Sequence, residues 1–409
     1  MSFRQYRSTI TQRHRDLLAL SQDPARFRDC FNLQRNLLSH ILKVERRARR
    51  HRGREKELRR SLHSRGHVLT RLGADRLRKQ IARCVSERGD FTHVLHALRA
   101  IGDGIAFTYF DRFDLKPMAL KPPAGYLSGK AGLALERAVL RKAFDMGAVA
   151  VMNDLTTCLR HGDLTFLTRS GQPGLMELKS GTSARARDRR QAQRLTELCD
   201  YLTSDVTRVI FGNDREVRRV AAWGKVTDHT EAITGLLQRR TNGTVRIIAE
   251  PGLAYVVAHT ETDPAEVFGA MTDGLAEKPL VFFLNDMKWE PAGYFPFTLT
   301  MRDPEGLFAF YCGDIVVFVI LDLGVFKARM GEAGLSATFE DEAEYVVSLK
   351  RVGANVPTAK LSRHLFTRLA SEFITLDWLV RECAWAYQRA EEAFVSKATH
   401  QPAPKDSGD

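Results

Sequence analysis

The chain has little cysteine and no long apolar run. Its six cysteines, Cys30, Cys84, Cys158, Cys199, Cys312 and Cys383, are scattered over 409 residues without one CxxC pair. That spacing excludes a small disulfide scaffold and a cysteine zinc knuckle. The most apolar stretch, residues 315–321, falls far short of the ~18 residues that span a bilayer. The opening MSFRQYRSTITQRHR holds no apolar signal core. A cytoplasmic protein without membrane association is therefore expected. No G-x-S-x-G elbow occurs, and GYLSGKAG fails as a phosphate loop. Its Gly125 and Gly129 are one residue too close, and Ala131 stands where a metal-holding hydroxyl is needed. His93 and His96 form an HxxH without an evident third ligand, so a core or capping role is expected of them.

Acidic residues are scarce at one end only. Residues 1–100 carry 25 Lys and Arg against 9 Asp and Glu, whereas the remainder carries 37 against 40, so the formal net charge of +13 arises wholly in the first quarter. A concentrated basic field attracts polyanions, and nucleic acid is the usual one. Apolar residues at 44% and charged residues at 27% are otherwise those of an ordinary globular protein, and the length suggests two or three domains.

Asp23-Pro24 has the form of a helix start, and Phe27, Phe31, Leu38 and Ile41 follow at helical spacing to about Arg50. The segment KVERRARRHRGREKELRR, residues 43–60, holds ten basic residues against Glu45, Glu55 and Glu57. Val68, Leu69, Leu72, Leu77, Ile81 and Val85 then continue the pattern to about Gly89, which predicts an antiparallel basic helical hairpin or coiled-coil arm over residues 1–101. A Gly- and Pro-rich linker is read at 102–127. Over 128–212 the expected order is helix 130–146, strands 148–152, 163–168 and 175–180, helix 188–202 and strand 207–211. Residues 213–397 read as a strand-rich α+β domain with runs such as VRIIAE, LVFFL, YFPFTLT and DIVVFVIL, closed by a long helix through Leu365, Leu369, Phe373, Leu376 and Val380. Residues 398–409 read as a disordered tail.

The chemistry concentrates in GLMELKSG, residues 174–181. In a strand, Glu177 and Lys179 share one face. A hairpin folded about Gly171 would set Asp163 across from Lys179 and diagonal to Glu177. Glu136 lies within the apolar stripe of Leu133, Val139, Leu140 and Ala143 and is expected to point inward. Convergent carboxylates repel unless a cation neutralises them, and oxygen-only ligands suit Mg²⁺ or Mn²⁺.

This arrangement resembles the PD-(D/E)xK nuclease superfamily over residues 128–212, about a fifth of the chain. The resemblance implies a restriction-endonuclease-like αβββαβ core and metal-dependent phosphodiester hydrolysis. Asp163 of HGD matches the first acidic position and Glu177-Leu178-Lys179 the (D/E)xK element, while Glu136 matches the helix glutamate of many members. Gly162 stands where the motif has proline, and Asp154 of MND rivals Asp163 as first ligand. The implied metal ligands are Asp163, Glu177, Glu136 and the Leu178 carbonyl, with Lys179 assisting the attacking water. In such enzymes the next helix borders the site, which implies that Gln191 and Gln193 lie at its rim. Arg185, Arg187, Arg190 and Arg194 of the same helix are placed to hold phosphates.

The expected architecture is thus α/β at the core, with an N-terminal helical region and a C-terminal α+β domain. The expected function is cleavage of nucleic acid, DNA by family prevalence, in a setting such as bacterial defence, restriction or repair. The alternative is a non-catalytic nucleic-acid-binding or scaffold protein that relies on its basic arm. The long helices also allow a homodimer or a protein partner.

Overall fold

The computed structural model describes residues 2–63, 70–119, 125–179, 186–210, 216–219, 222–239, 243–275, 279–289, 295–340, 345–352 and 358–399. The side chains of residues 186–188, Tyr345 and 393–399 are likewise outside the description. It is a mixed α/β structure: long N-terminal helices come first, then several small antiparallel sheets interspersed with helices. The chain divides into two compact units, one formed by residues 1–220 with 285–314 and the other by 221–284 with 315–409.

The first unit opens with α1 (Arg7–Gln22), α2 (Phe27–His63) and α3 (Arg71–Tyr109). Leu33, Leu37, Leu38, Ile41, Val44 and Ala48 form the buried stripe of α2, and Ile81, Phe91, Val94, Leu98 and Ile101 are buried on α3. Ion pairs joining Glu55 to Arg88 and Glu45 to Arg99, together with a His51–Glu87 contact, fix the two as an antiparallel hairpin. Both helices outrun the expected bounds, and α1 precedes the predicted start at Asp23. Val68 and Leu69 of the predicted pattern lie outside the described residues.

Glycines near 102 suggested a linker, yet α3 continues through them. A Cβ on Gly102 would lie 2.0 Å from the Leu155 carbonyl oxygen, and one on Gly104 would lie 2.3 Å from Leu17 Cδ2. These glycines permit close packing within a helix. Because the obstacle at Gly102 is backbone, Gly102→Ala is expected to destabilise the unit by about 1–3 kcal/mol through overpacking. A chemical-denaturation midpoint equal to that of the wild type would contradict this.

After α4 (Arg112–Met118), the predicted order of elements appears: α5 (Leu133–Asp145), β1 (Ala150–Met152), β2 (Leu164–Leu167), β3 (Pro173–Met176), α6 (Ala186–Ser204) and β4 (Val206–Thr207). The first three strands form one antiparallel sheet in the order β1-β2-β3. β4 leaves that sheet and pairs with β5 (Val217–Arg218). On α2, the buried side-chain amide of Gln34 donates to the Ala150 carbonyl at 2.8 Å, while its oxygen accepts from the Met152 amide at 2.9 Å. A helix side chain thereby satisfies backbone groups of the short β1 strand, which would otherwise be buried unpaired.

YFPFTLT, read as a strand, instead contains the short buried helix Phe297–Thr300 of the first unit. A short apolar run does not by itself distinguish strand from helix. His93 stacks on Trp289 at 4.4 Å, and His96 meets the edge of the same ring, so this pair has the packing role expected of it.

The second unit carries a four-stranded antiparallel sheet in the order Thr244–Glu250, Leu253–His259, Ile315–Asp322, Pro279–Phe283. A second antiparallel sheet joins Leu335–Phe339, Tyr345–Arg351 and Ala359–Ser362. The predicted closing helix is two helices, Arg363–Ser371 and Leu376–Thr399. Between them buried Phe373 adopts a φ of 51°, a left-handed conformation that breaks the helix. Residues 400–409 of the predicted tail lie outside the described residues. No described helix is long and apolar enough to cross a membrane.

Candidate functional site

The site forms where α5, the ends of β1 and β3, and the turn before α5 meet. At its centre is Lys130. Its Nζ lies 2.8 Å from Glu136 Oε1, 2.7 Å from Asp154 Oδ2 and 2.9 Å from Asp163 Oδ1. Each carboxylate arrives on a different element. Glu136 occupies the first turn of α5 and is only 2% exposed, as its place in the apolar stripe predicts. Asp154 lies in the 3-10 turn Asn153–Leu155 that follows β1, and Asp163 immediately precedes β2. Asp154 and Asp163, the rivals for the first acidic position, both reach the same ammonium.

The hairpin register corrects the expected one. Leu164 pairs with Met176 and Leu167 with Pro173, so one step further Asp163 faces Glu177 and not Lys179. β3 also ends at Met176, leaving Glu177, Leu178 and Lys179 in the segment that leaves the strand. The Asp163 amide donates to the Met176 carbonyl at 2.8 Å, and the Asp163 Oδ2 accepts from the Leu178 amide at 2.8 Å. Asp163 thus anchors the departing chain and faces Lys130 at once. Gly162 before it has a φ of 77° and lies against the Met176 carbonyl. Proline, fixed near −65°, cannot adopt that angle, which explains the glycine in HGD.

Burial raises the Glu177 carboxyl above its usual range, and the Asp163 charge adds to the rise, while Lys179 and a hydrogen bond from Gln191 oppose it. Glu136 is raised as well, first by burial and against its bond to Lys130, with Asp163 and Asp154 adding repulsion. Burial disfavours the Lys130 charge, but its bonds to Asp154 and Glu136 outweigh that and hold the ammonium above its usual value. Two carboxylate oxygens, Glu136 Oε2 and Glu177 Oε2, are buried without a hydrogen-bond partner among the described residues.

Around this centre the predicted residues separate. Gln191 reaches Glu177, whereas Gln193 is exposed and donates to Glu197 on its own helix at 2.9 Å. Lys179, Arg190 and Arg194 are exposed. Arg185 and the side chain of Arg187 lie outside the described residues. Glu136 pairs with Lys130 and is buried, not turned to the surface.

No family model, curated protein or solved structure matches the chain.

Three buried residues that position the site escaped the sequence reading. Glu45 of α2, fully buried, accepts from the Leu127 amide at 3.0 Å, the Ser128 amide at 2.6 Å and Arg99 at 3.3 Å. It therefore fixes the turn that presents Lys130. Asp103 of α3 accepts from Thr157 through both amide and hydroxyl at 2.6 Å, and from the Cys158 amide at 2.9 Å, holding the segment after Asp154. Burial still leaves the Asp103 carboxyl raised despite these bonds. Asn153 donates to the His161 carbonyl at 2.6 Å and accepts from the Thr165 hydroxyl at 2.8 Å, tying Asp154 to β2. One signal was available for Glu45: it follows Val44 and lies four residues after Ile41, on the apolar stripe.

Among the described residues, no three His, Cys, Asp or Glu side chains are grouped as metal ligands as they stand. The point on which Glu136, Asp154 and Asp163 converge is taken by the Lys130 ammonium. The donor set nonetheless fits a hard divalent ion: all carboxylate oxygen, drawn together around one positive charge, with two buried oxygens unsatisfied.

Proposed function

We propose that the chain is a metal-dependent nuclease that hydrolyses phosphodiester bonds in nucleic acid, with DNA as the expected substrate. The observation that carries this reading is the convergence of Glu136, Asp154 and Asp163 on one cation, beside Glu177 with its unpartnered buried oxygen. The chain order of α5, β1, β2, β3, α6 and β4 supports a PD-(D/E)xK-like core, although β4 pairs outside the three-stranded sheet.

Glu136, Asp154, Asp163 and Glu177 would hold Mg²⁺ or Mn²⁺. When bound, such an ion supplies Lewis acidity to a phosphate oxygen and a more acidic bound water. Gln191 orients Glu177 by hydrogen bonding. Lys179, exposed beside it, offers a positive charge to the charge that develops on phosphate. Exposed Arg189, Arg190 and Arg194 on α6 and the basic face of α2, including Arg46, Arg49, Arg50 and Arg54, offer sequence-independent phosphate contacts.

The Lys130 ammonium favours a second reading, because it already bridges Glu136, Asp154 and Asp163. A non-catalytic nucleic-acid-binding protein would need no further ion. One assay separates the two. Purified protein is incubated with linear, circular and single-stranded DNA and with RNA, in Mg²⁺, Mn²⁺ or EDTA, beside Glu177→Ala and Lys179→Ala. Metal-dependent cleavage is expected, falling on the order of 10²-fold in each variant. Cleavage undiminished in both variants would reject the site, while salt-sensitive binding without cleavage would favour the second reading.

A further inference from the structure

We propose that Lys130 is the internal counter-cation of the carboxylate cluster: it holds Glu136, Asp154 and Asp163 together when no divalent ion is bound, and its side chain must leave before one can bind. Metal affinity is then set by competition with this lysine. The inference rests on the reading of the cluster as a metal site and adds a residue that the (D/E)xK pattern does not contain.

An ammonium has three N–H donors and accepts nothing. All three are engaged, by Glu136, Asp154 and Asp163 at 2.7–2.9 Å. Lysine therefore has no donor left for Glu136 Oε2 or Glu177 Oε2, which are buried without a partner among the described residues. A divalent ion with about six oxygen ligands has the capacity that the ammonium lacks. Glu136, at 2% exposure, cannot turn that oxygen to water in place. The unsatisfied oxygens thus mark a site built for more positive charge than Lys130 supplies.

The exit of Lys130 is local. Its side chain retains 32% exposure, so a path to solvent exists along the same turn. The backbone of the turn stays fixed: Glu45 holds the Leu127 and Ser128 amides, the Lys130 amide donates to the Leu127 carbonyl at 3.0 Å, and the Lys130 carbonyl accepts from the Leu133 amide at 3.3 Å. A flexible four-carbon stem can rotate outward while the turn remains in place. Once outside, the ammonium remains tethered at the rim of the cluster.

The test is Mn²⁺ binding by the full chain, followed by titration calorimetry and by the electron paramagnetic resonance signal of free Mn²⁺, with no nucleic acid present. A site open one-tenth of the time binds about 10-fold more weakly than one always open. Lys130→Met is therefore expected to bind Mn²⁺ at least about 10-fold more tightly than wild type, and its melting temperature is expected to be lower in EDTA and to rise more on adding Mn²⁺. Lys130→Arg, which keeps the charge, is expected to bind like wild type, and Asp163→Asn to bind more weakly. Lys130→Gln, which keeps a neutral donor, gives the same comparison if the methionine variant is too unstable in EDTA. Equal Mn²⁺ affinity in wild type and both neutral variants, or weaker affinity in those variants, would overturn the competition. Tighter binding without cleavage of any nucleic acid would uphold the competition and count against the nuclease reading.

Discussion

Glu45→Ala is expected to destabilise the first unit by about 3–5 kcal/mol, the range for a buried ion pair broken on one side. The Glu45 carboxylate is wholly buried and has three donors: two backbone amides of the turn before Lys130, and Arg99. Alanine leaves Arg99 at 13% exposure with its charge uncompensated and the Leu127 and Ser128 amides without their acceptor. Arg99 retains a bond to the Gly125 carbonyl at 3.3 Å, which limits the loss but does not replace an anion. Glu45→Gln keeps the volume and one acceptor oxygen but turns an N–H₂ group toward a donor, so an intermediate loss is expected. The measurement is a urea transition resolved by amide exchange in α2 and α3, because a chain of two units need not unfold in one step. A loss below about 1 kcal/mol for alanine would mean that water reaches Arg99 and the turn, and that Glu45 behaves as a surface acid.

The dependence of the Lys130 turn on Glu45 changes how the basic N-terminal region is understood. Composition shows its net charge but not which faces are buried, and a run of ten basic residues reads as a wet or polyanion-facing surface. The same helix turns Gln34 and Glu45 inward, one clamping β1 and the other the Lys130 turn, while α3 adds Asp103 behind Asp154. These helices act as the scaffold of the carboxylate site.

Elements were legible where local pattern suffices. Glu136 on its apolar stripe, the three short strands, the hairpin and the helix after it all follow from periodicity and turn residues. Register was less so, since Gly171 as the turn's midpoint and the true turn differ by one residue of centring, and that shifts Asp163 from Lys179 to Glu177. Lys130 was not legible. Its motif suggested only a failed phosphate loop, and nothing local says that three carboxylates 6, 24 and 33 residues away will converge on it. Asp103 and Asn153 share this difficulty, because their partners are backbone groups whose positions only the tertiary fold defines.

Acid should weaken the first unit through His14. Its ring is fully buried on α1, and Nε2 donates to the Thr298 carbonyl at 2.8 Å, while Nδ1 is buried without a partner among the described residues. The neutral tautomer fits this setting. Protonating Nδ1 would bury a second N–H with no acceptor and a charge with no solvent. Burial accordingly lowers the His14 pKa from 6.5 to about 4, against the Thr298 bond and the Asp303 charge, with Arg15 adding to the fall. Between those values the unfolded chain binds the proton and the folded one does not, so stability rises with pH across that window and is lost as pH falls. The loss for this one group is on the order of 3 kcal/mol when the window is crossed completely. His96 is likewise lowered to about 4, chiefly by burial, and works in the same direction. Asp103, Glu136 and Glu177, raised by burial, work in the opposite direction, because the folded chain takes up their protons first and gains stability as pH falls. A difference measurement removes those shared contributions. His14→Gln keeps a donor for the Thr298 carbonyl and cannot titrate, so its unfolding free energy should fall less steeply than that of wild type between pH 6.5 and 4. Parallel curves for the two proteins across that range would show that His14 is protonated in the folded state and that its cavity admits water.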